Sequence, residues 1–178
     1  TGELWSPTPS PIRHEQAYYR CAHGPGYSRF DQRSHGLVLT LIQFVPADDP
    51  VKISRLTIRN DSARRRSLSV TAYVEWVLGP SRAAGALHVS SEVDEETRAL
   101  FAHNPWNTAF PGTAFADLGG LQTEHTADRR EFLGRHGTLD APVALVIGTE
   151  LSGRTGAALD ACAALGARLE NEAGATTE

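Results

Sequence analysis

Two segments combine a flat aromatic ring with strongly hydrogen-bonding side chains: Asn104-Pro105-Trp106-Asn107-Thr108-Ala109-Phe110 and Asp128-Arg129-Arg130-Glu131-Phe132. A pyranose offers apolar C–H faces and a rim of hydroxyls, so an aromatic face flanked by amides, carboxylates and guanidinium groups is the set that fits it. Trp106 and Asn107 make one candidate contact, and Asp128, Arg129 and Phe132 a second. The plain alternative for Trp106 is a core or loop anchor.

Bond-breaking chemistry has no comparable signature. The chain lacks G-x-S-x-G, H-E-x-x-H, a P-loop and a G-x-G-x-x-G turn. Asp48-Asp49 and Glu95-Glu96 are adjacent, so on a strand each pair points to opposite faces and in a turn each is solvated. Glycoside cleavage needs carboxyl groups held about 5–10 Å apart across the bond, and no such pair is identifiable. No catalytic residue is therefore assigned. His23-Gly24-Pro25-Gly26-Tyr27 looks like a phosphate loop, but Pro25 has no N–H to offer. The seven histidines are scattered, with His23 and His35 the one pair in a loop-and-strand setting, and no ligand spacing emerges, so no metal is expected. Cys21 and Cys162 have no C-x-x-C partner and read as reduced, packed thiols.

The elements that hold these residues read as strands. Over 67–78, Leu68, Val70, Ala72, Val74, Trp76 and Leu78 alternate with a mostly polar set, which predicts one long strand with one apolar face. Leu56 and Ile58 alternate upstream, and Asn60-Asp61-Ser62 predicts a hairpin joining the two strands. Residues 37–45 are apolar on both faces, as a doubly covered strand requires, and the three make an antiparallel meander. Shorter strands are expected at 87–93, 99–103, 114–118, 121–126 and 143–147, a spacing typical of a β-sandwich. Residues 128–133 predict one helical turn, with Asp128 as N-cap and Gly134 as its stop. Residues 157–169 are ambiguous, because Ala and Leu favour helix while Gly156 and Gly166 oppose it.

The 178 residues carry 17 Lys and Arg against 21 Asp and Glu, a net charge of -4, with 40% hydrophobic content. That balance describes a soluble globular domain and argues against a nucleic-acid partner, since Arg64-Arg65-Arg66 is the one short basic cluster. Residues 37–45 fall far short of the ~20 apolar residues that span a bilayer, so no membrane insertion is expected. The absence of Met suggests a piece of a longer protein, and residues 171–178 read as a frayed tail or the start of a linker.

Taken in order, Trp5-Ser6-Pro7-Thr8, Cys21-Ala22-His23-Gly24-Pro25-Gly26-Tyr27-Ser28-Arg29-Phe30 and Tyr73-Val74-Glu75-Trp76-Val77-Leu78-Gly79 resemble the cellobiose-phosphorylase family, glycosyltransferase family 36 or glycoside hydrolase family 94. Phe44-Val45-Pro46, Asp49-Pro50-Val51-Lys52-Ile53, Asn104-Pro105-Trp106-Asn107 and Glu131-Phe132-Leu133-Gly134 are more similar to the phosphorylase-like region of cyclic β-1,2-glucan synthases. The resemblance runs from Trp5 to about Leu165, and departs where Ala22 stands at a position at which many relatives carry Arg.

The resemblance implies an all-β fold over 1–170, a large antiparallel β-sandwich of the galactose-mutarotase-like supersandwich type, incomplete at its ends. In the family an (α/α)6 barrel follows through a helical linker and bears the catalytic aspartic acid, which works with inorganic phosphate and no other cofactor. The barrel is absent from this sequence, so the domain alone is expected to be inactive. The implied partners are a β-glucan or gluco-oligosaccharide, the helical barrel of the same parent chain and a second copy in a homodimer. The implied location is the cytoplasm, in a parent held at the inner membrane or a free phosphorylase. On this resemblance Arg129 is a candidate donor of forked hydrogen bonds to sugar hydroxyls or to a carboxylate and Phe132 a candidate stacking ring, with a structural ion pair and a core ring as the favoured alternative. A packing and dimerisation domain without sugar affinity is the competing reading.

Overall fold

A computed structural model describes residues 2–109 and 111–178, which divide into two compact units: the residues up to Leu68 with Glu170–Glu178, and Ser69–Leu169. The chain runs β1 (Tyr18–Gly24), β2 (Tyr27–Ser34), β3 (Leu37–Phe44), β4 (Ile53–Asn60), β5 (Arg66–Glu75), α1 (Arg82–Gly85), β6 (Ser90–Val93), β7 (Leu100–His103), β8 (Thr113–Ala116), β9 (Glu124–Asp128), α2 (Arg129–Phe132), α3 (Val143–Ile147), β10 (Ala161–Asn171) and β11 (Thr176–Thr177). The all-β, antiparallel expectation holds. Among the described residues no helix is long and apolar enough to cross a membrane.

The first unit is a sheet in the order β1-β2-β3-β4-β11. As expected, β3 is covered on both faces: Leu37, Leu39 and Leu41 are buried, while Val38, Thr40 and Ile42 are half-buried. Each fully buried Leu contributes about 1.5–3 kcal/mol of apolar transfer. Two tight turns set the register. Pro25-Gly26 links β1 to β2, pairing Gly24 with Tyr27, and Gly26 takes φ 80°. His35-Gly36 links β2 to β3 with φ 55° and 74°, the doubly left-handed geometry that matches strand twist. The strands β1 and β2 were not anticipated, because the Tyr, Arg and His of 18–34 hide the alternation.

The hairpin expected at Asn60-Asp61-Ser62 is not formed. The neighbours of β4 are β3 and β11, and β5 belongs to a separate sheet, β5-β10-β9. The physical reason is Asn60 itself, which is fully buried and donates through Nδ2 to the carbonyls of Arg64, Asn171 and Glu172. Its Oδ1 accepts from the Ser62 amide and hydroxyl. The C-terminal segment is therefore not frayed: Asn171 is buried, and Thr176 and Thr177 pair with Arg59 and Ile58.

In the second unit β10 lies between β5 and β9, and a further sheet has the order β6-β7-β8. Residues 161–167 are all buried, which overrides the helix propensity of their alanines because a strand covered on both faces takes small side chains. Trp76, Val89, Leu100, Ala102, Ala161, Ala163 and Leu165 form one core cluster, and Phe132, Leu133, Ala144, Leu151 and Ala164 another. The strand expected at 143–147 is instead α3, because Pro142 precedes it and Gly148 at φ 73° closes it by donating to the Ala144 carbonyl at 2.9 Å. Cys162 is packed as expected, and burial pushes its thiol up to about 12, whereas Cys21 is exposed.

Candidate functional site

The single apolar face anticipated for 67–78 holds only in the first half of β5. Leu68 and Val70 are half-buried with Ser67 and Ser69 exposed; from Thr71 the phase inverts, so that Tyr73 and Glu75 turn inward and Ala72 and Val74 outward. An inward carboxylate needs cations and donors, and the neighbouring elements supply them. Ser81 caps α1 and presents Arg82, which pairs with both Glu75 Oε2 and Asp160 Oδ1. From α2, Arg129 donates Nε–H to Glu75 Oε1 at 2.9 Å and lies 3.8 Å from Asp160 Oδ2, while its backbone amide donates to the Asp160 carbonyl at 2.8 Å. The result is a closed ring of two carboxylates and two guanidinium groups.

The Tyr73 hydroxyl donates to Glu75 Oε1 at 2.8 Å, and its ring stacks on Phe132 with centroids 4.9 Å apart. Burial raises the Glu75 pKa, but the Tyr73 and Arg129 hydrogen bonds and the Arg82 charge outweigh it and hold the group below the usual carboxylate range. Burial, then donation to Glu75, pushes the Tyr73 phenol upward.

Beside this ring opens a cleft of about 470 Å³ whose lining includes Asp128, Arg130, Glu131, Ser152, Arg154 and Asp160. As predicted, Asp128 caps α2: Oδ1 accepts from the Arg130 amide at 3.0 Å, and Oδ2 pairs with Arg154 at 2.9 Å. Gly134 follows at φ 92°, the expected stop. Glu131 accepts from Thr126 Oγ1 at 2.6 Å and from the Ser152 amide and hydroxyl at 2.7 and 2.9 Å. Burial raises its pKa, yet these hydrogen bonds and Arg154 lower it below the ordinary value. A general acid needs the opposite shift, so Glu75 and Glu131 are built as ionised acceptors. Among the described residues the exposed Arg130 guanidinium makes no ion pair or hydrogen bond, which leaves a planar donor facing the cleft.

The structure separates the predicted residues. Asp128, Arg129 and Phe132 are gathered at α2, but Phe132 is 2% exposed and packed under Tyr73, so the expectation of a sugar-stacking ring there is corrected. The fork of Arg129 is committed to carboxylates, so it serves the ion pair and not a ligand. Trp106 and Asn107 lie in the loop after β7, where buried Asn104 accepts from the Trp106 amide at 3.0 Å and donates to the Leu78 carbonyl at 2.6 Å. The Asn107 amide donates to the Asn104 carbonyl at 3.0 Å, and Asn107 is half-buried. Trp106 is 75% exposed, with His88 beside it at 5.3 Å between centroids. Phe110 lies outside the described residues. Arg130 was missed, although spacing carried a signal: positions 129 and 132 share one face of a helical turn, and 130 turns away from it. The partnership of Glu75 and Arg82 with Asp160 had no local signal, since Asp160 lies 78 positions beyond Arg82.

The model of the glycosyl hydrolase 94 supersandwich domain matches residues 1–178. The chain is 42% identical over 175 residues to the cyclic beta-(1,2)-glucan synthase NdvB of Rhizobium meliloti (strain 1021), covering 98% of this chain and 6% of that protein. It is 33% identical over 157 residues to the solabiose phosphorylase of Paenibacillus borealis, covering 83% and 20% of the two chains. Identity to the N,N'-diacetylchitobiose phosphorylase of Vibrio furnissii is 28% over 104 residues, 57% of this chain and 12% of that one. The chain thus spans a fifth or less of the length of these relatives.

Proposed function

Because the chain belongs to the glycosyl hydrolase 94 supersandwich family, we propose that it is the non-catalytic, carbohydrate-associated sandwich of a cyclic β-1,2-glucan synthase or a related glycoside phosphorylase. Trp106 is the ring that meets sugar, and Arg130 is a free donor for hydroxyl or carboxylate groups. The observation that carries the reading is Trp106, a large aromatic held 75% exposed by a buried amide bracket, an arrangement a core anchor does not need. The names of the relatives, a β-1,2-glucan synthase and disaccharide phosphorylases, support a glucan or gluco-oligosaccharide as ligand. Glu75 and Glu131, held below the usual carboxylate range, are unsuited to act as a general acid. The family resemblance is what supports a catalytic acid supplied from a helical barrel of the parent chain, with inorganic phosphate as the co-substrate. The sugar contact itself calls on no cofactor. We place the domain in the cytoplasm, carried by a parent at the inner membrane, in keeping with its two free thiols.

Titration of the protein with linear β-1,2-gluco-oligosaccharides, with cello-oligosaccharides as control, tests this by tryptophan fluorescence and calorimetry. Saturable binding that falls at least tenfold in folded Trp106→Ala and weakens in Arg130→Ala is the expected result. No heat and no spectral change up to millimolar sugar would overturn it.

One observation favours the second reading, a packing and dimerisation domain. On α3, a helix of five residues, Val146 and Ile147 are 62% and 70% exposed, side by side and without an apolar cover. Concentration-dependent self-association, lost in Ile147→Glu and without sugar affinity, would support that reading instead.

A further inference from the structure

We propose that Glu3, His14 and His35 form a binding site for a zinc-class divalent transition metal, three protein ligands with a fourth position open. These residues lie in the first unit, away from the proposed sugar contacts, and show no ligand spacing along the chain because they come from three separate segments. One ligand atom from each lies within 4.8 Å of the others. Two imidazoles and one carboxylate are the donor set that borderline-soft divalent ions take, and their summed charge of one negative suits a dication.

The surroundings aim the donors. His35 occupies the first position of the β2–β3 turn at φ 55°, and the Arg66 guanidinium donates to its carbonyl. The Ser34 hydroxyl engages His35 Nδ1 at 2.9 Å, which leaves Nε2 facing Glu3 Oε2 at 2.8 Å. That is the pattern of an oriented ligand, one ring nitrogen held and the other presented. Trp5 stacks on the same ring with centroids 4.8 Å apart. Ser6 bonds the backbone of Ile12 in both directions, at 2.9 and 3.1 Å, and so folds the N-terminal strap that brings residues 3 and 14 together.

His14 supplies the second, independent observation. Its Nδ1 is buried without a hydrogen-bond partner, and its Nε2 lies 4.0 Å from Glu3 Oε1, too far for a hydrogen bond. A half-buried imidazole whose buried Nδ1 has no hydrogen-bond partner is costly, and a cation would use its lone pair. With bonds of about 2.0–2.1 Å, tetrahedral ligands stand about 3.3 Å apart, so the widest gap in the trio, at most 4.8 Å, must close by at most about 1.5 Å. Glu3, whose side chain is 52% exposed, has the freedom to do so.

The test is titration of metal-free protein with Zn²⁺ followed by calorimetry and thermal unfolding, with Co²⁺ as a visible-absorption probe and Mg²⁺ as control. One equivalent of Zn²⁺ is expected to bind and raise Tm, and Co²⁺ to give the intense bands of a tetrahedral complex. Glu3→Gln and His14→Gln should each weaken binding by about tenfold or more, and His103→Gln should leave it unchanged. His35→Gln is expected to behave like them; if it does not fold, Glu3→Gln decides, since its site is half-exposed and the substitution nearly isosteric. Absence of saturable binding at sub-millimolar Zn²⁺, or binding indifferent to Glu3→Gln and His14→Gln, would overturn the assignment and leave an ordinary Glu3–His35 contact.

Discussion

Arg129 donates to Glu75 across 54 positions of sequence, Nε to Oε1 at 2.9 Å, and so closes the ring that ties α2 to the end of β5. Both side chains are about a quarter to a third exposed, so the pair is screened but not fully solvated. Removing one partner leaves a half-buried charge without its counterpart. Glu75→Gln and Arg129→Ala should each lower stability by about 1–3 kcal/mol in urea unfolding. The double variant should lose at least about 1 kcal/mol less than the sum. Strict additivity would show that Arg82 and Asp160 hold the ring without this pair.

Acid should weaken the fold through the same carboxylates. Glu75 and Glu131 have folded pKa values depressed below their unfolded ones. A depressed acid contributes stability that is fully present above the unfolded pKa of about 4.3 and is lost as pH falls through the folded value. The urea midpoint should therefore be flat from pH 7 to about pH 5 and fall below about pH 4. Glu131→Gln should start lower at pH 7 and fall less; curves that run parallel would remove Glu131 from the account.

Asn60 should behave as a structural keystone of the first unit. Its Nδ2 serves three carbonyls and Asn171 returns a hydrogen bond to the Ile58 carbonyl at 3.0 Å. Asn60→Ala strands these buried groups, at a cost of about 2–4 kcal/mol. Amide exchange at Thr176 and Thr177 should accelerate in the variant more than exchange in β2 and β3. Uniform acceleration would mean that the C-terminal strand is held by something else.

Gly166 pairs with Glu124 across β9 and β10, and a Cβ there would meet Glu124 Cγ and Oε1 at 2.6 Å. That carboxylate is anchored by the Leu151 amide at 3.0 Å and has little room to move. Gly166→Ala should lower stability by about 1–3 kcal/mol. Gly119→Ser, where nothing stands within 4 Å but φ is 66°, should cost less, about 1 kcal/mol of backbone strain. A thermal melt of each orders the two.

The sequence by itself determined what depends on near neighbours. The apolar run at 37–45 specified a doubly covered β3, the Asp128 and Gly134 pair bounded α2, and the ordered motifs from Trp5 onward identified the family. Tertiary structure decided the rest. Partner choice for β4 was settled by a buried amide 111 positions from the carbonyl it holds, and no turn motif encodes that. The inward phase of Tyr73 and Glu75 ran against the apolar pattern because cations from α1 and α2 made burial of a carboxylate affordable only in the folded state. The same packing spent Arg129 and Phe132 on the scaffold and left Arg130 and Trp106 facing water. Exposure is a property of the assembled chain, and a side chain is free for a ligand only where the fold has not already used it.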